Sequence, residues 1–94
     1  MTYKLAFNET ALKEWKKLGH TVREQFKKKL VERLQNPRVP ASQLHGRKDQ
    51  YKIKLRGAGY RLVYSVNDEI VTVTVIGVGK RENDDIYHAT QSRN

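Results

Sequence analysis

The sequence predicts an α+β fold: a small, antiparallel-rich β-sheet packed against an N-terminal two-helix hairpin, with a short C-terminal helix. Three observations predict it. Residues 51–66 alternate apolar and polar side chains on both sides of a glycine-containing turn, as two half-buried strands do. Residues 11–34 carry apolar side chains at helical spacing, and residues 70–78 form a β-branched run. The 94 residues leave room for one domain over 1–94 with a single modest core.

The elements follow in order. Tyr3, Leu5 and Phe7 alternate with Thr2, Lys4 and Ala6 as a short first strand, and Asn8 is placed to cap a helix. Ala11, Leu12, Trp15 and Leu18 form that helix's apolar stripe, and Gly19 is the residue type most often found just past a helix end. Thr21-Val-Arg-Glu24 matches a capping box for a second helix, whose apolar face is Val22, Phe26, Leu30 and Leu34 and which stops at Asn36-Pro37. Arg38 to Gln50 reads as a loop anchored by Leu44. Asn67-Asp68-Glu69 is a polar turn, and Val71, Val73 and Val75 then oppose Thr72, Thr74 and Ile76, a pattern that fits a central strand covered on both sides. Gly77 and Gly79 loosen the end of that strand, so that Arg81 need not obey strand parity. Asn83 can cap a terminal helix carrying Asp84, Asp85 and Tyr87.

Parity sorts the hairpin. A two-residue turn at Gly57-Ala58 and a four-residue turn over 56–59 both set Lys54 opposite Arg61 and Ile53 opposite Leu62. A three-residue turn would mix the faces and is rejected. The sheet should then present Lys52, Lys54 and Arg61 together and bury Ile53, Leu55, Leu62 and Tyr64 on the other side. No acid lies between Gln50 and Asn67 to neutralise that basic face.

Nineteen lysines and arginines against ten acids give a formal charge of +9, which implies an anionic partner, nucleic acid first. Cysteine is absent, so disulfides and thiol chemistry are excluded. No stretch approaches the ~20 apolar residues of a membrane span, and the cytoplasm is the simplest address. Lys13, Lys16, Lys17, Arg23, Lys27, Lys28, Lys29 and Arg33 lie on the outer faces of the helices, where a solvated surface and a phosphate-docking surface are both open readings.

His20, His45 and His88 are scattered and no acids sit at a ligand spacing, so neither metal catalysis nor any other cofactor is expected. A Ser/His/Asp motif is missing, and the His45–His88 pair is the weaker acid/base alternative. What remains is the basic face. Cleaving a phosphodiester needs a proton acceptor, positive charge on a phosphorane-like transition state and a proton donor for the leaving oxygen; lysine and arginine can supply all three. A face that binds phosphate without cutting it stays open as the alternative.

The order of these elements, with Leu12-Lys-Glu-Trp-Lys-Lys-Leu-Gly19, Thr21-Val-Arg-Glu-Gln25, Tyr51-Lys-Ile-Lys-Leu-Arg56, Gly59-Tyr-Arg-Leu-Val-Tyr64, Gly79-Lys-Arg-Glu82 and Tyr87, resembles the RelE toxins of bacterial toxin-antitoxin pairs. The resemblance implies a RelE/ParE-like fold and a metal-free, ribosome-dependent mRNA endonuclease that cuts A-site codons by 2′-hydroxyl attack, leaving a 2′,3′-cyclic phosphate and a 5′-hydroxyl. By that resemblance Lys52 and Lys54 serve proton abstraction and phosphate contact, Arg61 the transition state, Arg81 the general acid and Tyr87 base stacking. It also implies that the helical cations contact ribosomal RNA, that Arg56 and His45 lie near the RNA, and that a RelB-like antitoxin wraps the fold, shifts the C-terminal helix and joins the toxin in repressing their operon. His45 stands where close relatives carry arginine. Relatives that poison DNA gyrase share the fold but lack the basic and tyrosine set; a gyrase-targeting toxin is thus the minor reading.

Overall fold

One residue, Asn8, ends the first strand and starts the first helix. Its backbone is extended (φ −75°, ψ 166°) while its side-chain oxygen accepts the Ala11 N–H at 2.7 Å, closing the first turn. The computed structural model, which describes residues 2–80 and 85–90, runs from there as β1 (Lys4–Phe7), α1 (Glu9–Lys16), α2 (His20–Gln35), a single 3-10 turn (Pro40–Ser42), β2 (Gln50–Leu55), β3 (Tyr60–Asn67), β4 (Thr72–Lys80) and α3 (Asp85–Thr90). It is a mixed α+β fold. Among the described residues no helix is long and apolar enough to cross a membrane.

The helices depart from their sequence signals in three places. Leu12 is 38% exposed, so the buried face of α1 narrows to Ala11 and Trp15, followed by Leu18. Trp15 sits between Phe7 and Phe26, with ring centroids at 5.2 and 6.4 Å. Gly19 is the N-cap of α2, in extended conformation (φ −63°, ψ 155°). Because α2 begins at His20, Thr21 falls inside the first turn, and the expected capping box does not form; Glu24 pairs with Lys27 at 3.2 Å instead. Phe26 and Leu30 are buried as expected, with Val22 and Leu34 packed beside them.

The strand order is β1-β4-β3-β2, with β1 parallel to β4 and the other pairs antiparallel. The β2–β3 register sets Lys54 opposite Arg61, Ile53 opposite Leu62 and Leu55 opposite Tyr60, as parity required. The connection is the four-residue form: the Gly59 N–H donates to the Leu55 carbonyl at 2.9 Å, and Gly59 has φ +70°, which a side chain would strain. β4 starts later than the β-branched run. The Asn67 side chain accepts from the Glu69 and Ile70 N–H groups at 3.0 and 3.3 Å, which extends the turn, leaves Ile70 exposed and puts Val71 at φ +50°.

A bulge on β4 divides the core. Tyr64 pairs with Val75 but Val63 pairs with Gly77, so Ile76 is the extra residue. Val73, Val75 and Val78 join the main core with Leu62, Tyr64 and the helices, whereas Ile76 joins Val63, Leu44 and Ile86 in a second cluster. Both faces of the sheet are thereby covered. The 38–50 loop is tied down by Arg38, which bonds Asp68 at 2.8 Å and Asp49 at 3.1 Å, and by Asp49, whose carbonyl accepts the Val66 N–H. The Tyr3 hydroxyl, 2.6 Å away, and then Arg38 hold the Asp68 carboxyl below its ordinary value.

Candidate functional site

Register puts Lys52, Lys54 and Arg61 on one face, but burial separates them. Lys54 is exposed, Lys52 half-buried, and Arg61 only 7% exposed. Presentation of all three to solvent, the expectation from alternation, is corrected for Arg61: this face carries the second apolar cluster as well, and the arginine sinks beside it. Its Nη1 donates to the Tyr60 carbonyl at 3.0 Å, its Nε is buried with no hydrogen-bond partner, and no carboxylate pairs with it among the described residues. Across the sheet it faces Gly79, over which the Ile86 side chain lies. Burying a cation without a counter-charge costs on the order of several kcal/mol, and the described residues supply Arg61 with none.

Lys52 is held from two sides. Its carbonyl accepts Arg33 Nη1 at 3.3 Å, and its ammonium lies 5.9 Å from the centroid of the Tyr87 ring, within reach of the ring's negative face. Tyr87 is half-buried against the cluster of Leu44, Val63, Ile76 and Ile86, so α3 brings it over the edge of β2. Arg33 does not belong to the outer face of α2, where its position in the charge pattern put it. It turns inward, donating to the Tyr64 hydroxyl at 2.9 Å and to Ser42 Oγ at 3.2 Å, with its guanidinium 5.9 Å from the Tyr64 ring. Burial pushes the Tyr64 hydroxyl up, against the opposing pull of Arg33, and it stays a donor to the Pro37 carbonyl at 2.7 Å.

Between α2 and β2 runs a basic groove of two adjoining hollows, about 780 and 340 Å³, which share Lys29, Lys54 and Arg56. Lys28 lines the larger one; Arg33 and Lys52 line the smaller. Glu32 is the acid on its walls. A third hollow of about 680 Å³ mixes Asp49, Asp68 and Glu69 with Arg38 and Lys48 and offers a phosphate no net attraction. The helical cations thus divide. Lys28 and Lys29 border the groove, Lys27 is engaged by Glu24, and Lys13, Lys16, Lys17 and Arg23 lie outside its lining.

Arg81 lies outside the described residues, as does the side chain of His88. His45 is exposed on the loop and lines neither hollow of the groove. Among the described residues no group of three or more His, Asp or Glu is placed to hold a metal ion. Sequence reasoning missed Arg47. Its Nη1 donates to Gln50 Oε1 at 3.1 Å and Thr90 Oγ1 at 3.0 Å, and its Nη2 to the carbonyl of Tyr87. Two of those partners lie 40 and 43 residues away in the chain, and no local pattern signals them.

A basic groove, a buried arginine with no carboxylate partner among the described residues and an aromatic on the last helix are carried by this sheet order. The family described as ParE toxin of type II toxin-antitoxin system, parDE, matches residues 5–85. The mRNA interferase toxin RelE of Escherichia coli K12 is 61% identical over 93 residues, covering 99% of this chain and 98% of the relative, and the mRNA interferase RelE of Shigella flexneri aligns equally well. The fold superposes on a double arginine-to-alanine mutant of Escherichia coli RelE in the free state with a TM-score of 0.92, at 60% identity over 99% of this chain and 98% of that one. It also matches a chain of the intact Escherichia coli RelBE toxin-antitoxin complex with a TM-score of 0.82, at 66% identity over 85% of this chain and 98% of the other. The chain belongs to the RelE/ParE family of toxins of type II toxin-antitoxin systems. Within that family its full-length similarity is to the RelE mRNA interferases, as the resemblance read from the sequence implied.

Proposed function

We propose that this chain is the toxin of a RelBE-type pair and cuts mRNA in the ribosomal A site. The observation that carries the reading is the buried Arg61, with no carboxylate partner among the described residues and set directly opposite Lys54 on the face where Lys52 meets Tyr87. A scissile phosphate entering here finds a preformed cationic seat. One lysine of the Lys52–Lys54 pair takes the proton of the 2′-hydroxyl, the 2′-oxygen bonds to phosphorus, and the bond from phosphorus to the 5′-oxygen breaks. Arg61 and the other lysine offset the charge that builds on the phosphorane-like oxygens. Arg81 gives the leaving 5′-oxygen its proton, and Tyr87 stacks on the base, so the products are a 2′,3′-cyclic phosphate and a 5′-hydroxyl. No metal or other cofactor takes part in this scheme.

The groove formed by Lys28, Lys29 and Arg56 guides the RNA strand, while Lys13, Lys16, Lys17, Arg23 and Lys27 contact ribosomal RNA and His45 lies at the margin. The partners that go with this reading are the 70S ribosome, a RelB-like antitoxin that wraps the fold and shifts the C-terminal helix, and operator DNA through the toxin-antitoxin complex. The cytoplasm is where they meet.

The test is end-mapping of mRNA on programmed ribosomes, with naked RNA and a gyrase supercoiling assay in parallel. Cuts confined to the A-site codon are expected. Failure to cut in every condition supports a ribosome-binding toxin without nuclease activity, and inhibition of supercoiling supports a gyrase poison. The groove makes a second expectation. Changing Lys28 and Lys29 together to alanine should weaken ribosome binding and flatten its dependence on log salt by roughly 0.7–0.9 for each phosphate no longer neutralised, since every neutralised phosphate releases condensed counterions. An unchanged slope would return both lysines to solvent.

A further inference from the structure

The helix that carries Tyr87 is six residues long, too short to persist on its own propensity. Something must fix it. Ile86 supplies apolar contact with Val63, Ile76 and Leu44, but a short apolar contact permits rotation and sliding. The directional restraints are polar. Thr90 is fully buried, and its hydroxyl donates back to the Ile86 carbonyl at 2.9 Å while it accepts from Arg47. Arg47 also donates to the Tyr87 carbonyl and to the side chain of Gln50, itself 5% exposed, at the start of β2.

We propose that Arg47 is a positioning residue: its guanidinium locks α3 to the first residue of β2 and thereby sets Tyr87 over Lys52. Three features of the geometry support this. A cation placed on the last carbonyls of a helix meets the negative end of the helix and satisfies an acceptor that the helix itself leaves free. The two Nη atoms reach different partners, Gln50 and Thr90 from one and the Tyr87 backbone from the other, a division that a planar fork achieves and a single ammonium does not. The restraint also acts on the residue whose ring lies 5.9 Å from the Lys52 ammonium, and Gln50 is two positions from Lys52 on the same strand. The catalytic consequence rests on the nuclease reading above; the mechanical one does not.

The experiment separates the two. Hydrogen exchange is measured on the full chain with Arg47→Met, which keeps the stem and removes the charge, and with Thr90→Val, which keeps the shape and removes the hydroxyl. Amide protection across α3 should fall by roughly 10- to 100-fold in both, the range for losing a charge-assisted hydrogen bond, while protection in β3 and β4 is retained. Under single turnover on programmed ribosomes, cleavage at saturating ribosome should slow about tenfold with the half-saturating ribosome concentration unchanged, because alignment and not binding is lost. Unchanged α3 protection overturns the lock. Lost protection with full cleavage rate overturns its role in positioning Tyr87. If the wild-type chain itself leaves mRNA intact, the nuclease reading falls, and the exchange measurement still decides whether Arg47 holds the helix.

Discussion

Replacing Arg61 by alanine should slow cleavage of ribosome-bound mRNA by about 10²- to 10³-fold, the range seen when one preorganised donor to a developing oxyanion is removed. Ribosome affinity should stay within about threefold, since Arg61 is 7% exposed and in the proposed scheme meets only the phosphate that enters the site, one contact among the many that hold the ribosome. The chain should also keep its stability. Arg61 places a guanidinium whose Nε has no partner inside the fold, so removing it relieves a desolvation cost that offsets the packing its stem provided. A residue that a fold retains against its own stability is serving something else. Arg61→Lys should recover only part of the rate, because an ammonium keeps the charge but not the fork. The paired measurement is single-turnover cleavage and thermal unfolding of the same preparations. An Arg61→Ala chain that unfolds many degrees lower and cleaves slowly in proportion would make the residue structural.

That Arg61 is buried could not be read from alternation. Parity depends only on the turn and the register, both local, and so Lys54 opposite Arg61 and Ile53 opposite Leu62 were legible in residues 51–66 alone. Burial depends on what covers the face, here the Leu44–Ile86 cluster, whose members come from a loop, two strands and the terminal helix. The same limit explains Arg33. Its place in a run of helical cations suggested solvent, but the hydroxyls of Tyr64 and Ser42 draw it inward across a contact that only the folded chain creates. The capping box failed for the opposite reason. Thr21 and Glu24 fit the local pattern, yet the link between helices is so short that α2 begins at His20, and the motif lands inside the helix. The bulge at Ile76 had no signal beyond Gly77, because an extra residue in a strand is defined by its partner.

Exchanging each lysine of the site for arginine should divide their roles. Lysine and arginine both neutralise a phosphate, but a guanidinium rests fully protonated and has no lone pair with which to accept a proton from a hydroxyl. A lysine that acts as the base fails as arginine, with a rate loss of about 10²- to 10⁴-fold, the usual contribution of general base catalysis. A lysine that only contacts phosphate survives the exchange. One of Lys52→Arg and Lys54→Arg should thus retain most of the cleavage rate and the other almost none, while both alanine variants are slow. Geometry favours a clean separation, because the two side chains are not equivalent. Lys54 is exposed and sits beside Arg61, where a phosphate would be shared between them, whereas Lys52 is half-buried with its ammonium against Tyr87 and its carbonyl pinned by Arg33. A larger guanidinium at position 52 would also crowd the Tyr87 ring. The control is a cycle with Tyr87→Ala: if Lys52→Arg no longer slows a chain that already lacks the Tyr87 ring, crowding and not the missing base caused the loss. Retention of full rate by both arginine variants would remove lysine from proton abstraction altogether and leave the face as an electrostatic seat whose base comes from elsewhere.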